Sequence, residues 1–342
     1  MLEKVNIRQV AKAAGVSVAT VSGVLNHSGR HSPATAAKIR DVMRELNYVP
    51  RRNRLRRKAD KNTGSLTKVG IFFPDNHKDG TKTPLGIGLA EGARKVLAEH
   101  NIQATILTLG DDGSLPEEIT QGKLDGLIIR SGSKVTNGDE GLWYELKELG
   151  IPTVWAFGSS SVSQDADVVM VDDRGCGIWA ANKIPLSDDN CIFVVMPDHN
   201  LDIEIRNLAF NAYLQERNIK SQIIHYKSEK SLAPIKTQSL KSIVTVFVPG
   251  HDAEVMAVHN LLLSQKKNKT SNATLIAIMT DDVSLPIRPG MNIAVQHIDP
   301  VRIGMTAGRQ LLWRHQNHSG DPVRLLISAK ELSHSNNGSE FI

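Results

Sequence analysis

NIRQVAKAAGVSVATVSGVLN, residues 6–26, has the pattern of two short helices joined by a tight turn. Asn6 is suited to cap the first helix, because its side chain can accept a hydrogen bond from a helical amide, and Gly15 is suited to end it. Ser17 is suited to cap the second helix, which we expect to end near Asn26. This pattern is typical of a helix-turn-helix, whose second helix enters the major groove of DNA.

Periodicity alone fits an ordinary helical hairpin equally well. The residues themselves favour the helix-turn-helix, because VAKAAGVSVATVS, then VLN, then SPATAAKIRDVMRELNYVP closely resemble the DNA-binding head of the lac-repressor (LacI/GalR) family of bacterial transcription regulators. The resemblance covers residues 5–50. It implies that the DNA is contacted by Asn6, Ser17, Val18, Ala19, Thr20, Ser22, Gly23 and Asn26.

A third helix is predicted after residue 31. Ser32 is suited to be its N-cap and Pro33 its first residue, since proline has no amide hydrogen to leave unpaired there. Its buried stripe, which would pack on the first two helices, comprises Ile39, Val42, Met43 and Leu46, with Tyr48 closing the small core.

The start of the second helix predicts an unusual reading of bases. Val18 and Ala19 are apolar, and Gly23 stands where the family commonly has arginine or another long polar residue. Apolar side chains can touch the methyl group of thymine but cannot donate a hydrogen bond to guanine.

A basic linker, residues 51–65, follows the head. In the family this segment becomes a hinge helix on DNA, and a leucine wedges into the minor groove at the position that is Arg57 here. Either Leu55 wedges in a shifted register, or no wedge exists and the arginines bind a narrow minor groove. We favour the second alternative, because Arg51, Arg54 and Arg57 recur every three residues.

Positive charge is concentrated at the start of the chain. Residues 1–68 contain 15 Lys and Arg against 4 Asp and Glu, whereas the remaining residues contain 26 against 32. A basic head on an acidic body is suited to bind a polyanion such as double-stranded DNA through the head alone.

Length and composition favour two or three globular domains. The chain has 342 residues, 40% of them hydrophobic, and no apolar run approaches the roughly 20 residues that span a bilayer. With no export signal in the sequence, we expect a cytoplasmic protein with no membrane partner. Cys176 and Cys191 are too few for a disulfide framework or a metal site, and we expect both to be packing residues. We expect no cofactor and no metal.

From Lys68 onward, short apolar strands alternate with helices, which predicts parallel sheets covered on both faces. Ten strands suggest two lobes: 69–73, 104–107, 126–129, 153–157, 168–171, 192–196, 223–226, 244–248, 275–278 and 293–296. The predicted helices are 85–100, 142–149, 177–184, 203–217, 253–263 and 300–315.

The body also resembles the effector domains of the same family, through motifs that include VGIFFPDN, LDGLIIRSG, VMVDDRGCGIWAANKI and IAIMTDD. The resemblance implies two Rossmann-like lobes of the periplasmic-binding-protein type, with a ligand in the cleft between them. The expected domains are the helix-turn-helix head, 1–50, the linker, 51–65, and the effector-binding and dimerisation domain, 66–342. Within it, one lobe takes about 66–162 and 297–324, and the other takes about 163–296 and 325–342.

The resemblance places a small polar ligand, such as a sugar or an anionic metabolite, between Arg206 and Asp281. A guanidinium and a carboxylate suit a polyhydroxylated molecule. Arg206 could instead be a surface arginine, and Asp281 a turn residue. Phe157 stands where sugar-binding members often have aspartate, so the ligand could be unusual or lost. Less specific candidates for the ligand site are Asn76, Arg130 and His251.

An enzyme is not favoured. Gly86, Gly88 and Gly92 approximate a dinucleotide-binding fingerprint, but their spacing is wrong, and the scattered histidines are expected on the surface. We therefore expect a homodimeric transcription regulator, a repressor that binds a pseudo-palindromic operator and senses a small molecule. The alternatives are a freestanding ligand-binding protein and a regulator without effector control.

Overall fold

The computed structural model describes residues 6–25, 32–46, 65–74, 83–110, 114–130, 146, 150–157, 166–185, 190–197, 200–238, 243–250, 252–264, 273–280, 285–287, 290–317 and 321–332. Several residues singled out from the sequence lie outside these ranges: Asn26, Tyr48, Arg51, Arg54, Leu55, Arg57, Asn76, His251 and Asp281.

Three helices form the head: α1 (Ile7–Ala14), α2 (Val18–Leu25) and α3 (Pro33–Glu45). Small side chains let these helices approach closely around a compact core of Val10, Ala11, Ala14, Val21, Val24 and Ile39. Val42, Met43 and Leu46 pack against this core and are partly buried, as the predicted stripe of α3 requires.

The first helix of the head is closed at both ends by its own sequence. The Asn6 side chain accepts from the amides of Arg8 and Gln9, and the Gln9 side chain accepts from the Asn6 amide at 2.7 Å, which forms a capping box. Gly15 adopts the left-handed conformation with φ of 67°. The amide of Val16 donates to Ala11 at 3.0 Å, which completes a Schellman motif. Both predicted ends of α1 are therefore confirmed.

Helices α2 and α3 are both capped by a serine that accepts a hydrogen bond from the amide three residues later. Ser17 Oγ accepts from the Thr20 amide at 3.0 Å, and Ser32 Oγ accepts from the Thr35 amide at 3.1 Å. These bonds confirm Ser17 and Ser32 as N-caps and fix the point at which α2 and α3 begin.

The body contains two six-stranded sheets. The strands of the first are β1 (Lys68–Phe73), β2 (Gln103–Thr108), β3 (Gly126–Arg130), β4 (Thr153–Ala156), β5 (Asp167–Val171) and β11 (Arg324–Ile327). They lie in the order β11-β5-β4-β3-β1-β2. The pairs among β1 to β5 are parallel. A buried cluster that includes Phe72, Leu127 and Trp155 lies on this sheet.

The strands of the second sheet are β6 (Asn190–Met196), β7 (Ser221–His225), β8 (Ile243–Val248), β9 (Ala273–Met279), β10 (Met291–His297) and β12 (Lys330–Leu332). They lie in the order β12-β10-β9-β8-β6-β7. All pairs are parallel except that of β12 with β10. Within its described residues the body has the α-helices α4 (Pro84–Glu99), α5 (Glu117–Thr120), α6 (Asp173–Asn182), α7 (Leu201–Gln215), α8 (Ala233–Gln238), α9 (Asp252–Ser264) and α10 (Pro300–Gln316), with a 3-10 helix at Glu229–Leu232.

Helices cover both faces of the second sheet, as the sequence predicts. Val246 of β8 belongs to a buried cluster with Val255 and Val258 of α9. The next residue, Phe247, points to the opposite face, because side chains alternate along a strand. There its ring stacks on Phe210 of α7, with 4.5 Å between the ring centroids.

The chain forms two compact units. Unit 1 comprises residues 1–170 and 301–325, and unit 2 comprises residues 171–300 and 326–342. The chain therefore passes from one unit to the other three times. The domain boundaries expected from the sequence, including the linker 51–65, stay a prediction.

Glycines of unit 1 allow close packing of α4 on α10. A Cβ atom on Gly92 would lie 2.0 Å from the carbonyl oxygen of Val301, and one on Gly304 would lie 2.2 Å from that of Leu89. Such distances are far below contact, so the two helix backbones touch where these glycines lie. Gly92, noted in the sequence as part of a poor dinucleotide fingerprint, is therefore a packing residue.

Some elements differ from the sequence-based expectation. The strands β11 and β12, and the short helices α5 and α8, were not predicted. Helix α6 begins at Asp173, four residues before the predicted start at 177, because the Asp172 side chain caps it by accepting from the Gly175 amide at 2.9 Å. The helix predicted over 142–149 lies outside the described residues except for Leu146, which is buried.

Candidate functional site

The outward side of α2 is the first candidate site. Val18 is 41% exposed, and Ser17 and Ala19 are also exposed. Val21 and Val24 point into the head core, since they are buried. The part of α2 that faces outward is therefore its first turn, continued one turn later by the half-buried pair Ser22 and Gly23.

Two hydroxyls of this turn are engaged with each other. Ser17 Oγ and Thr20 Oγ1 lie 2.8 Å apart, and Ser17 Oγ also accepts from the Thr20 amide. This pair fixes the start of α2 relative to the turn. It leaves the methyl groups of Val18 and Ala19 as the exposed side-chain atoms between the two hydroxyls.

The two other helices of the head also carry exposed basic side chains. Arg8 and Lys12 of α1 and Lys38 of α3 are exposed. Arginine and lysine supply most contacts to DNA phosphates, which position a head without reading sequence. Seven of the 15 basic residues of positions 1–68 belong to the linker, and all seven lie outside the described residues.

The second candidate site lies in unit 2, at the carboxyl ends of the strands. Ligands bind at this edge in open α/β sheets. Arg206 of α7 lies there, because its Nη1 donates to the carbonyl of Pro249, directly after β8, at 2.6 Å. Only 7% of Arg206 is exposed, so the interpretation of Arg206 as a surface arginine is wrong.

A buried ion pair holds Arg206. Its Nε donates to Asp173 Oδ1 at 2.7 Å, and Asp173 is 5% exposed. Gly177 and Gly250 make room for this arrangement, since a Cβ on Gly177 would lie 2.2 Å from the Arg206 carbonyl oxygen and one on Gly250 would lie 2.8 Å from Arg206 Nη1. The guanidinium is therefore held by two segments of unit 2, helix α6 and the residues directly after β8.

The acidic groups around Arg206 titrate abnormally. Burial raises the pKa of Asp173 to about 6, and the attraction of Arg206 opposes this only in part. Burial likewise raises the pKa of Asp202, against the same attraction. The thiol of Cys176, one turn after Asp173, has a pKa raised to about 11 by burial, so it remains protonated and serves as a packing group.

Asp252 is a further polar group at the same edge. Its carboxylate accepts from the amide of Thr280 at 3.0 Å and from the Thr280 hydroxyl at 2.6 Å. His297 Nε2 lies 2.9 Å from the Thr280 carbonyl oxygen. These bonds tie the end of β9 to the start of α9, and so they anchor the residue that precedes Asp281.

The remaining sequence candidates divide between the units. Arg130 ends β3 in unit 1 and is half-buried, whereas Arg206 belongs to unit 2. Phe157 follows β4 with φ of 56°, a conformation rarely adopted by a bulky residue. The expectation that the histidines lie on the surface is wrong for His259, which is 1% exposed and whose Nε2 lies 2.7 Å from the Pro286 carbonyl oxygen.

Asp173 and Asp252, which the structure adds to the candidate site, were not predicted from the sequence. Asp173 lies in the quoted motif VMVDDRGCGIWAANKI, but its partner Arg206 is 33 residues away. The only signal in the sequence is that two adjacent aspartates, Asp172 and Asp173, precede a predicted helix. One aspartate is enough to cap a helix, so the other is available for a different role.

Two other kinds of site are absent from the described part of the chain. Among these residues, no group of three or more His, Cys, Asp or Glu side chains could hold a metal ion. Within the same ranges, no helix has both the length and the hydrophobicity needed to cross a membrane.

Residues 6–51 match the model of the bacterial regulatory proteins of the lacI family. The chain is 33% identical over 249 residues to the sucrose operon repressor of Pediococcus pentosaceus, a match that covers 71% of this chain and 70% of that protein. It is 30% identical over 191 residues to the transcriptional regulator DegA of Bacillus subtilis (strain 168). In that comparison it spans about half of the relative, 52% of its length.

Two solved structures share the fold. A complex of the transcriptional regulator CelR with cellobiose has a TM-score of 0.61 at 20% identity and covers 96% of this chain and 99% of that one. The lac repressor dimer bound to operator and the anti-inducer ONPF has a TM-score of 0.57 at 15% identity, covering 97% and 98%. Three head helices followed by two mainly parallel α/β sheets are the periplasmic-binding-protein-like architecture of these regulators. With this fold, and with a third of its residues identical to the sucrose operon repressor over most of both chains, the chain belongs to the lacI family of bacterial regulatory proteins.

Proposed function

We propose that the protein is a sequence-specific repressor of transcription, and not an enzyme, that binds operator DNA through its head. The observation that carries the proposal is the exposed first turn of α2, with Val18 and Ala19 outward and Val21 and Val24 fixed in the head core. A helix anchored by its inner face presents its outer face to the major groove without rearrangement. Family membership and the name of the sucrose operon repressor support the same function.

We further propose that two copies bind a pseudo-palindromic operator as a homodimer in the cytoplasm. The lac repressor in the operator-bound structure is a dimer, and the described part of each head presents one candidate recognition helix, α2. Two-fold related heads require half-sites at a fixed spacing, because they read successive turns of one face of the duplex.

The test starts with selection of binding fragments from random DNA by the full-length protein. Inserting five base pairs between the half-sites turns one half-site to the opposite face and should abolish tight binding, whereas inserting ten should restore part of it. A single half-site that binds as tightly as the full fragment would contradict the dimer. Retention of no fragment would leave the freestanding ligand-binding protein as the better interpretation.

The proposed effector is a small polar molecule, such as a sugar, bound at the strand-end edge of unit 2 near Arg206. The guanidinium carries five N–H donors, of which Nε and one on Nη1 donate to Asp173 and Pro249. The neighbouring carboxylates of Asp173 and Asp202 favour a neutral ligand over an anionic one, since they already balance the charge of Arg206.

This proposal is tested by titrating the operator complex with a metabolite panel. Arg206→Ala should weaken effector binding by about 2 kcal/mol or more, because a charged donor is removed from a desolvated site. Operator binding without effector should survive. Arg217→Ala, an exposed arginine just beyond α7, is the matched control and should respond to the effector as the wild type does. Loss of operator and effector binding together would mark Arg206 as structural, and a panel without any effect would indicate a regulator without effector control.

A further inference from the structure

The outward side of α2 carries no side chain that can donate strongly to a base. Its exposed or half-buried residues after Ser17 are Val18, Ala19, Thr20, Ser22 and Gly23, and none has a charged or amide group. The Thr20 hydroxyl is within 2.8 Å of Ser17 Oγ and is therefore already in a hydrogen bond. What this side presents most prominently is methyl groups, with Val18 at 41% exposure.

The chemistry of base edges limits what such a surface can recognise. Guanine is read in the major groove by a bidentate arginine or lysine, and adenine by asparagine or glutamine. None of these four residue types occurs between Ser17 and Leu25. Thymine alone among the four bases carries an apolar group in the major groove, the C5-methyl, and alanine and other methyl-bearing side chains contact it.

We propose that this protein reads its operator half-sites through thymine methyl groups that Val18 and Ala19 contact. The proposal rests on the proposed function, because it requires α2 to lie in the major groove. It assigns Val18 and Ala19 the role of specificity-determining residues. It also assigns the exposed arginine and lysine residues of α1 and α3 to the phosphates, where they add affinity without sequence preference.

The test removes single methyl groups from the DNA. In the fragment selected by the full-length protein, each thymine of one half-site is replaced in turn by uracil, which differs from thymine only by the missing methyl. One or two positions should weaken binding roughly fourfold each, the effect of losing one buried methyl group. Uracil outside the half-sites is the control and should leave binding unchanged.

Protein variants identify the partner of each methyl. Val18→Ala removes two exposed methyl groups, leaves the core residues untouched and suits a helix, so the head should fold. At one uracil-sensitive position the fourfold loss should disappear in this variant, while it persists at the other. Ala19→Gly should give the reciprocal pattern.

The outcomes separate this inference from the proposed function. If the protein prefers its selected fragment over random DNA but no uracil weakens binding, the methyl reading is overturned and the repressor function stands. If the uracil losses are identical in the wild type, Val18→Ala and Ala19→Gly, the assignment of these two residues is overturned. If no fragment is preferred over random DNA, both are overturned.

Discussion

Asp173 carries its proton to a higher pH than an ordinary aspartate does, since burial raises its pKa to about 6 from 3.8. The folded protein therefore binds this proton more tightly than the unfolded chain does. The stabilisation from this group is complete below about pH 4 and is lost as the pH rises through about 6. Asp202, whose pKa burial also raises, acts in the same direction.

We predict that the free energy of unfolding of the wild type falls, relative to that of Asp173→Asn, between pH 4 and pH 7. The difference should amount to about 3 kcal/mol at most, because each pKa unit corresponds to about 1.4 kcal/mol. Urea denaturation at a series of pH values measures it. Parallel pH profiles for the two proteins would show that Asp173 does not titrate in this range.

Replacement of Gly23 by arginine should change which base the head prefers. Gly23 is half-buried on the outward side of α2, where an arginine could reach a guanine and form two hydrogen bonds. Gly23→Arg should therefore raise operator affinity and shift the preference toward guanine at one position of each half-site. The measurement is selection from random DNA by the variant, and an unchanged set of selected sequences would place Gly23 outside the interface.

Helices whose ends are set by capping residues close in sequence were predicted well. Elements that depend on partners far away in the sequence were not. The ends of α1 and the N-caps of α2 and α3 follow from Asn6, Gly15, Ser17 and Ser32, whose bonds reach no more than five residues. By contrast, β12 has three residues and no clear alternation, and its pairing with β10 reaches back more than thirty residues. The Asp173–Arg206 pair was missed for the same reason, because no local pattern records it.

The contact of α4 with α10 leads to a prediction about two glycines. Gly92→Ala places a methyl against the backbone carbonyl of Val301, which neither helix can avoid without shifting, and should destabilise the protein by about 3 kcal/mol or more. Gly122 has φ of 65°, and among the described residues no atom beyond its chain neighbours lies within 4 Å of the point that its Cβ would occupy, so Gly122→Ala should cost only about 1 kcal/mol of backbone strain. Thermal unfolding of both variants compares the two costs, and equal costs would contradict the tight helix contact.

At the scale of the whole molecule, the uneven charge predicts how binding depends on salt. The head and linker, residues 1–68, carry nearly four times as many basic as acidic residues, while the body is acidic overall. Each phosphate neutralised by the protein releases a counterion, so operator affinity should fall steeply as salt rises. The linker, whose basic residues lie outside the described ranges, contributes seven of these 15 basic residues.

We predict that Arg57→Ala weakens operator binding and flattens its salt dependence, whereas Leu55→Ala barely changes affinity or DNA bending. The reason is that arginines recurring every three residues suit a narrow minor groove, in which a leucine wedge is not required. Binding across a salt series and the mobility of permuted DNA fragments measure the two effects. A large loss of DNA bending in Leu55→Ala would contradict this prediction and support the alternative in which Leu55 wedges into the minor groove.

The lack of charged and amide side chains on the outward side of α2 affects how many promoters one protein can occupy. A bidentate contact separates the right base from a wrong one by about 1–3 kcal/mol, whereas one methyl contact is worth only about 0.8 kcal/mol. A genome offers millions of competing positions, and shallow penalties leave many near-matches within reach of ordinary protein concentrations. We therefore expect graded occupancy of a broad set of promoters, ranked by small differences in thymine content, and a regulon that changes together when the concentration of the protein changes.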